Sequence, residues 1–252
     1  MKKNHWPIYL VPAFVWLLSQ AFLSQPTFFY SSLSLGALAI ALGVKSLAGR
    51  DKSRHWPLFL FSPVLMLGSL SLYAALLSNW FSVQLVFLAL AVFLFFYLRH
   101  LHYYWAYGAP ERADKLDNLV SVGGVMTIFS LAVSMYTLPM FLKWPAYLPV
   151  VFLGPISFFT IFQFAAIKPA EKRSALLWAG IIALILAELA WGLYLLPLRP
   201  SVLGGVLVFS YYFLLTIWRL SLRQELSRRR LKYPLLIFAI FFIILLLTAT
   251  WL

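Results

Sequence analysis

The chain has 252 residues, of which 63% are apolar and 11% charged, with 20 Lys and Arg against 7 Asp and Glu and no cysteine. Soluble domains carry charge on roughly a quarter of their residues, so this composition requires a non-aqueous solvent for most of the chain. Without cysteine, disulfides, thiolate metal sites and cysteine nucleophiles are excluded.

A membrane span needs about 20 apolar residues to cross a hydrocarbon core of about 30 Å. Nine runs qualify, at 6–24, 28–48, 57–78, 80–98, 119–141, 144–167, 175–197, 201–221 and 233–252. They predict an all-α, polytopic transmembrane bundle of eight or nine spans, the full crossing of the last being open. Only one gap is long, so residues 1–252 read as a single integral membrane domain. The Met1-Lys2-Lys3 start precedes a run with no small-residue cleavage site, and reads as a retained first helix.

The first span opens on "HWPIYL" at 5–10, and "HWPLFL" opens the third at 55–60. An offset of 50 residues fits duplication of a two-helix hairpin. The same order of base, aromatic ring and proline recurs in "LKWPAYL" at 142–148 and "LKYPLLI" at 231–237. Proline is tolerated in a first helical turn and an aromatic ring anchors at headgroup level, so the motif reads as a way of starting a span. A paired pH-sensitive or headgroup-binding role for His5 and His55 is the alternative.

Orientation follows from the basic residues, which stay on the cytoplasmic side. With the N-terminus cytoplasmic, Lys143 and Arg199 alone of the 20 fall at outer span ends. The net charge of +13 therefore reads as topology and contact with anionic headgroups, not as nucleic-acid binding.

The outer halves of the first two spans are rich in polar side chains: Ser19, Gln20, Ser24, Gln25, Thr27, Tyr30, Ser31, Ser32 and Ser34. With Ser134 and Tyr136 they either line a vestibule or bond back to their own helices. The longest loop, 99–118, holds His100, His102, Glu111, Asp114 and Asp117 among aromatic residues. Histidines and carboxylates are what a metal or acid/base site needs, but the two histidines lie on different helix faces and no catalytic motif accompanies them. In the sixth span, after a fifth that begins on Gly123-Gly124, Pro149 and Pro155 free backbone carbonyls. Gly154-Pro155 is read as a kink or as a broken helix lined by Ser157, Thr160 and Gln163.

Glu188 is the one acidic residue inside a predicted span, about 20 Å from the start of its helix. Such a group costs a few kcal/mol unless it is neutral, paired or facing water, and is a functional candidate. Gly180, Ala183, Ala187 and Ala190 form a small-residue stripe that Glu188 flanks, which favours burial against another helix. The last predicted loop carries Arg228, Arg229 and Arg230, a contact for anionic headgroups.

The segment "ELAWGLYLLPLRP" at 188–200 followed by "GGVLVFSYYFLLTIWR" at 204–219 resembles uncharacterised multispanning membrane proteins predicted in bacterial genomes. The resemblance implies a bacterial cytoplasmic membrane and no particular activity. Three functions are compatible with the residues. The leading one is binding or translocation of an apolar or lipid-like ligand through an intramembrane cavity, with Glu188, Pro155, Gly154, Ser157, Gln20 and Tyr136 as its candidate residues. The second is a non-catalytic structural or assembly subunit, paired with itself or with another membrane protein. The third is a membrane enzyme using the 99–118 loop. No cofactor or metal is expected.

Overall fold

The computed structural model describes residues 5–48, 56–107, 110–143, 145, 147–167 and 172–222, with positions 232, 235, 236, 239, 240 and 243. His55, Arg228, Arg229, Arg230 and nearly all of the run at 233–252 lie outside the described residues. The fold is an all-α helix bundle, with helices α1 (Trp6–Ser24), α2 (Phe29–Ala48), α3 (Phe61–Ala75), α4 (Trp80–Tyr107), α5 (Pro110–Leu142), α6 (Leu148–Phe162), α7 (Phe164–Ile167), α8 (Lys172–Tyr194) and α9 (Pro200–Leu222). Short 3₁₀ turns, Pro26–Phe28 and Trp56–Leu60, lead into α2 and α3. Among the described residues seven helices, α1 to α5, α8 and α9, are long and apolar enough to cross a membrane.

Local sequence accounts for the helix ends. Pro7 occupies the first turn of α1, where its missing N–H costs nothing, and Gln25-Pro26 ends the helix in extended backbone. Asn79 Oδ1 accepts the Phe81 N–H at 2.9 Å and caps the start of α4. At the far end of α5, Lys143 takes a left-handed conformation, φ 53°, where the chain leaves the helix.

Two expectations are corrected. The segment 99–118 is not a loop, because α4 continues to Tyr107 and α5 begins at Pro110. Arg99 and Arg112 lie over the Tyr103 ring at 5.9 and 5.2 Å, tying the two helix ends together. The sixth span is shorter than expected, α6 ending at Phe162 with a turn at Gln163, and of the two readings of Gly154-Pro155 the helix is unbroken there. Pro155 is accommodated inside α6, with Ser157 Oγ donating to the Gly154 carbonyl and Thr160 Oγ1 to the Ser157 carbonyl, both at 2.8 Å.

The chain forms two compact units. The first comprises residues 1–127 and 163–170, and so contains α1 to α4, the start of α5, and α7. Without a hydrophobic drive between helices in lipid, close approach and van der Waals contact must hold such helices together. Glycine provides the approach: a Cβ on Gly43 of α2 would lie 2.8 Å from Val11 Cγ2 of α1, and one on Gly123 of α5 would lie 2.6 Å from the Phe93 ring. A buried polar network adds direction. Gln163 Nε2 donates to the Tyr97 hydroxyl at 2.8 Å, Gln163 Oε1 accepts the Ser62 N–H at 2.6 Å, and Tyr97 donates to the Phe59 carbonyl at 2.6 Å.

The second unit comprises residues 128–162 and 171–252. In it α8 packs on α6 and α9. Gly154 lies against the Ala187 methyl, 3.6 Å from where its own Cβ would be, and Gly204 of α9 meets Val133 of α5.

Candidate functional site

The first unit carries a cavity of about 430 Å³ where the end of α1 meets the α3–α4 turn, lined by Gln20, Leu23, Ser24, Leu77, Ser78, Trp80 and Val83. Gln20 lines it, and Gln84 of α4 holds the Gln20 amide from behind that lining. Gln20 lies one turn before the end of α1 and Gln84 one turn after the start of α4, so antiparallel packing puts both at one depth. Their amides pair reciprocally, Gln20 Nε2 donating to Gln84 Oε1 at 3.0 Å and Gln84 Nε2 to Gln20 Oε1 at 2.8 Å. Each amide then keeps one N–H and further acceptor capacity for another group. The Asn79 cap fixes the turn from which Ser78 projects and at which Trp80 is exposed. Leucine and valine complete the lining, and among the described residues no charged side chain is part of it. The cleft is open on one side and its lining mixes hydrogen-bonding and apolar groups.

The cavity sits apart from the His5 end of α1. There the exposed His5 ring packs edge-on against buried His102 of α4, with centroids 4.6 Å apart. Among the described residues no three His, Asp or Glu side chains cluster as a metal site would require.

The profile of a family described as "Protein of unknown function (DUF5656)" matches residues 11–248. The chain belongs to the DUF5656 family. No curated protein and no solved structure matches it. Gln20, Gln84, Gln163 and Glu188 all lie inside the range matched to DUF5656.

In this DUF5656 chain the six candidate residues fall in both units, Gln20 in the first and Tyr136, Gly154, Pro155, Ser157 and Glu188 in the second. Gln20 alone lines the cavity. Gly154 and Ser157 are buried, Gly154 against Ala187 and Ser157 bonded to its own helix, whereas Pro155 is exposed. Tyr136 is buried and donates to the Ala190 carbonyl of α8 at 2.8 Å. Tyr136→Phe is expected to lower stability by about 1 kcal/mol and change nothing else, read by thermal unfolding in detergent. Glu188 is exposed. The small-residue stripe does meet a helix, since Ala183 and Ala187 face Gly154, but Glu188 is one residue and about 100° further round α8.

Of the two readings of the hydroxyl-rich outer halves, bonding back to the helix describes Ser24 as well, whose Oγ donates to the Ala21 carbonyl at 2.8 Å beside Gln20. Ser31 and Ser34 are exposed on α2, and Ser19 and Ser134 donate to the carbonyls of Val15 and Ser130 in their own helices. Ser19, Ser32 and Ser71 border a separate cavity of only about 10 Å³, the scale of one water. Gln84, Ser78 and Trp80 were not singled out in the sequence, although two glutamines one turn from facing ends of the first and fourth spans were a readable signal.

Proposed function

We propose that the protein binds a lipid-like amphiphile at the outer face of a bacterial cytoplasmic membrane, with its basic span ends in the cytoplasm. The ligand sits in the Gln20 cavity. The observation that carries this reading is an open cleft of about 430 Å³ lined by the Gln20 amide, the Ser24 and Ser78 hydroxyls, the Trp80 indole, leucine and valine, with no charged side chain among its described lining residues. Such a lining recognises an uncharged hydrogen-bonding head, a hydroxyl-bearing or sugar-like group, on an apolar tail.

The paired amides permit a clean test. Replacing both partners of a hydrogen bond with apolar groups of similar size is nearly neutral for stability, whereas replacing one strands the other. The double variant Gln20→Leu/Gln84→Leu is therefore expected to unfold near the wild-type temperature yet lose its ligand. Native mass spectrometry from nanodiscs containing a neutral glycolipid and an anionic phospholipid reads the result. Wild-type protein is expected to retain the glycolipid and the double variant to retain it about tenfold less, one lost hydrogen-bonding pair being worth that factor. Equal retention by both proteins, or retention of the anionic lipid alone, refutes the proposal.

A further inference from the structure

The α4–α5 hairpin of the first unit gathers positive charge from both of its helices. Arg99 lies near the end of α4, and Arg112 and Lys115 lie in the first turns of α5. Both guanidinium groups are held over the Tyr103 ring, at 5.9 and 5.2 Å from its centroid, and the charges of Arg99, Lys115 and Arg112 all act on the neighbouring His100 ring. The cations therefore converge. Arg99 and Lys115 are exposed, and Arg112 is half-buried.

The hairpin's own acids do not offset them. Glu111, Asp114 and Asp117 are close in sequence, yet among the described residues neither Arg99, Arg112 nor Lys115 forms an ion pair, and no carboxylate is among the charges acting on His100. The dipole of α5 adds further positive potential at the end where Arg112 and Lys115 sit. Like charges held together in this way favour an anion among them. Depth says which anion. From Trp80 to Arg99 is about 28 Å of helix, close to the roughly 30 Å of a hydrocarbon core, so Arg99 stands at the level of the lipid phosphates. Arg112 meets Tyr103 across the hairpin and shares that level.

We propose that the α4–α5 hairpin binds the phosphate of an anionic phospholipid through Arg99, Arg112 and Lys115, with the Tyr103 ring holding both guanidinium groups in place. A guanidinium offers a fork of N–H donors to two phosphate oxygens, and the ammonium adds a point charge. A zwitterionic headgroup would bring its own cation into the cluster, so net negative charge selects the ligand. The site is separate from the Gln20 cavity, because Gln84 is about 22 Å of helix from Arg99.

Native mass spectrometry of the full chain from nanodiscs of phosphatidylcholine and phosphatidylglycerol tests this. Wild-type protein is expected to retain phosphatidylglycerol, and Arg112→Gln/Lys115→Gln to retain it about thirtyfold less, the factor for two cations at a lipid surface. The control Lys45→Gln/Arg173→Gln removes the same charge from exposed bases at other span ends and is expected to match wild type. Arg99→Gln, a single exposed change, is expected to lower retention about fivefold and decides the matter where thermal unfolding shows the double variant misfolded. Gln20→Leu/Gln84→Leu is expected to keep phosphatidylglycerol, so this inference and the Gln20 reading fail separately. Equal losses in the site and control variants would mean diffuse attraction and overturn the inference. Unchanged retention in a folded site variant overturns it too, as does displacement of the lipid by inorganic phosphate, which would make the ligand a soluble anion.

Discussion

Replacing Gln163 with leucine is expected to destabilise the first unit by about 3 kcal/mol. Gln163 is fully buried and serves two groups at once, the Ser62 backbone N–H and the Tyr97 hydroxyl. Leucine removes both hydrogen bonds: the orphaned Ser62 N–H costs about 1–3 kcal/mol and the bond lost at Tyr97 about 1 kcal/mol. Tyr97 keeps one bond, to the Phe59 carbonyl, but Ser62 N–H has no substitute among these partners. Tyr97→Phe alone is expected to cost about half as much, and the double variant less than the sum, because both changes act on one network. Equilibrium unfolding in mixed micelles measures all three; strict additivity would show that the network is not coupled.

Gly204→Ala is expected to cost about 2 kcal/mol through overpacking, whereas Gly180→Ala is expected to be neutral or slightly favourable. One methyl distinguishes them. At Gly204 it would lie 2.6 Å from Val133 Cγ2, 3.3 Å from the Val133 nitrogen and 3.5 Å from the Phe129 carbonyl oxygen. Valine on a helix has one preferred rotamer, and the other two atoms are backbone, so relief requires α9 to move away from α5. At Gly180 nothing lies within 4 Å. Melting temperatures of the two variants measured side by side check the difference, and a similar fall in both would remove the close-packing explanation.

These residues also show what the sequence could and could not reveal. Helix α1 spans Trp6–Ser24 as expected, because proline at its start and Gln25-Pro26 at its end are local signals. The α4–α5 hairpin was misread as a loop because hydropathy falls at Arg99; hydropathy reports the solvent, whereas the backbone continues helical to Tyr107. Gln163 stood out as a polar residue of the sixth span, but its partners, Ser62 and Tyr97, are 101 and 66 residues away and follow from packing alone. The same limit applies to Glu188. Ala183 and Ala187 correctly marked a contact surface, yet which side of it the carboxyl takes depends on where α6 docks. Of the cavity, Gln20 was legible by type and depth, while Trp80 and Ser78 acquire meaning only beside it.

The division between hydroxyls and amides has a consequence for how the chain is made. Ser19, Ser134, Ser157 and Ser210 each bond to a carbonyl three or four residues back, so their helices leave the ribosome with those groups already matched. The amides mature late. Gln20 meets Gln84 only after 64 further residues have been synthesised, and the Ser62 N–H meets Gln163 only after 101. A nascent chain halted before residue 84 therefore presents on its first helix an amide whose partner has not yet been made.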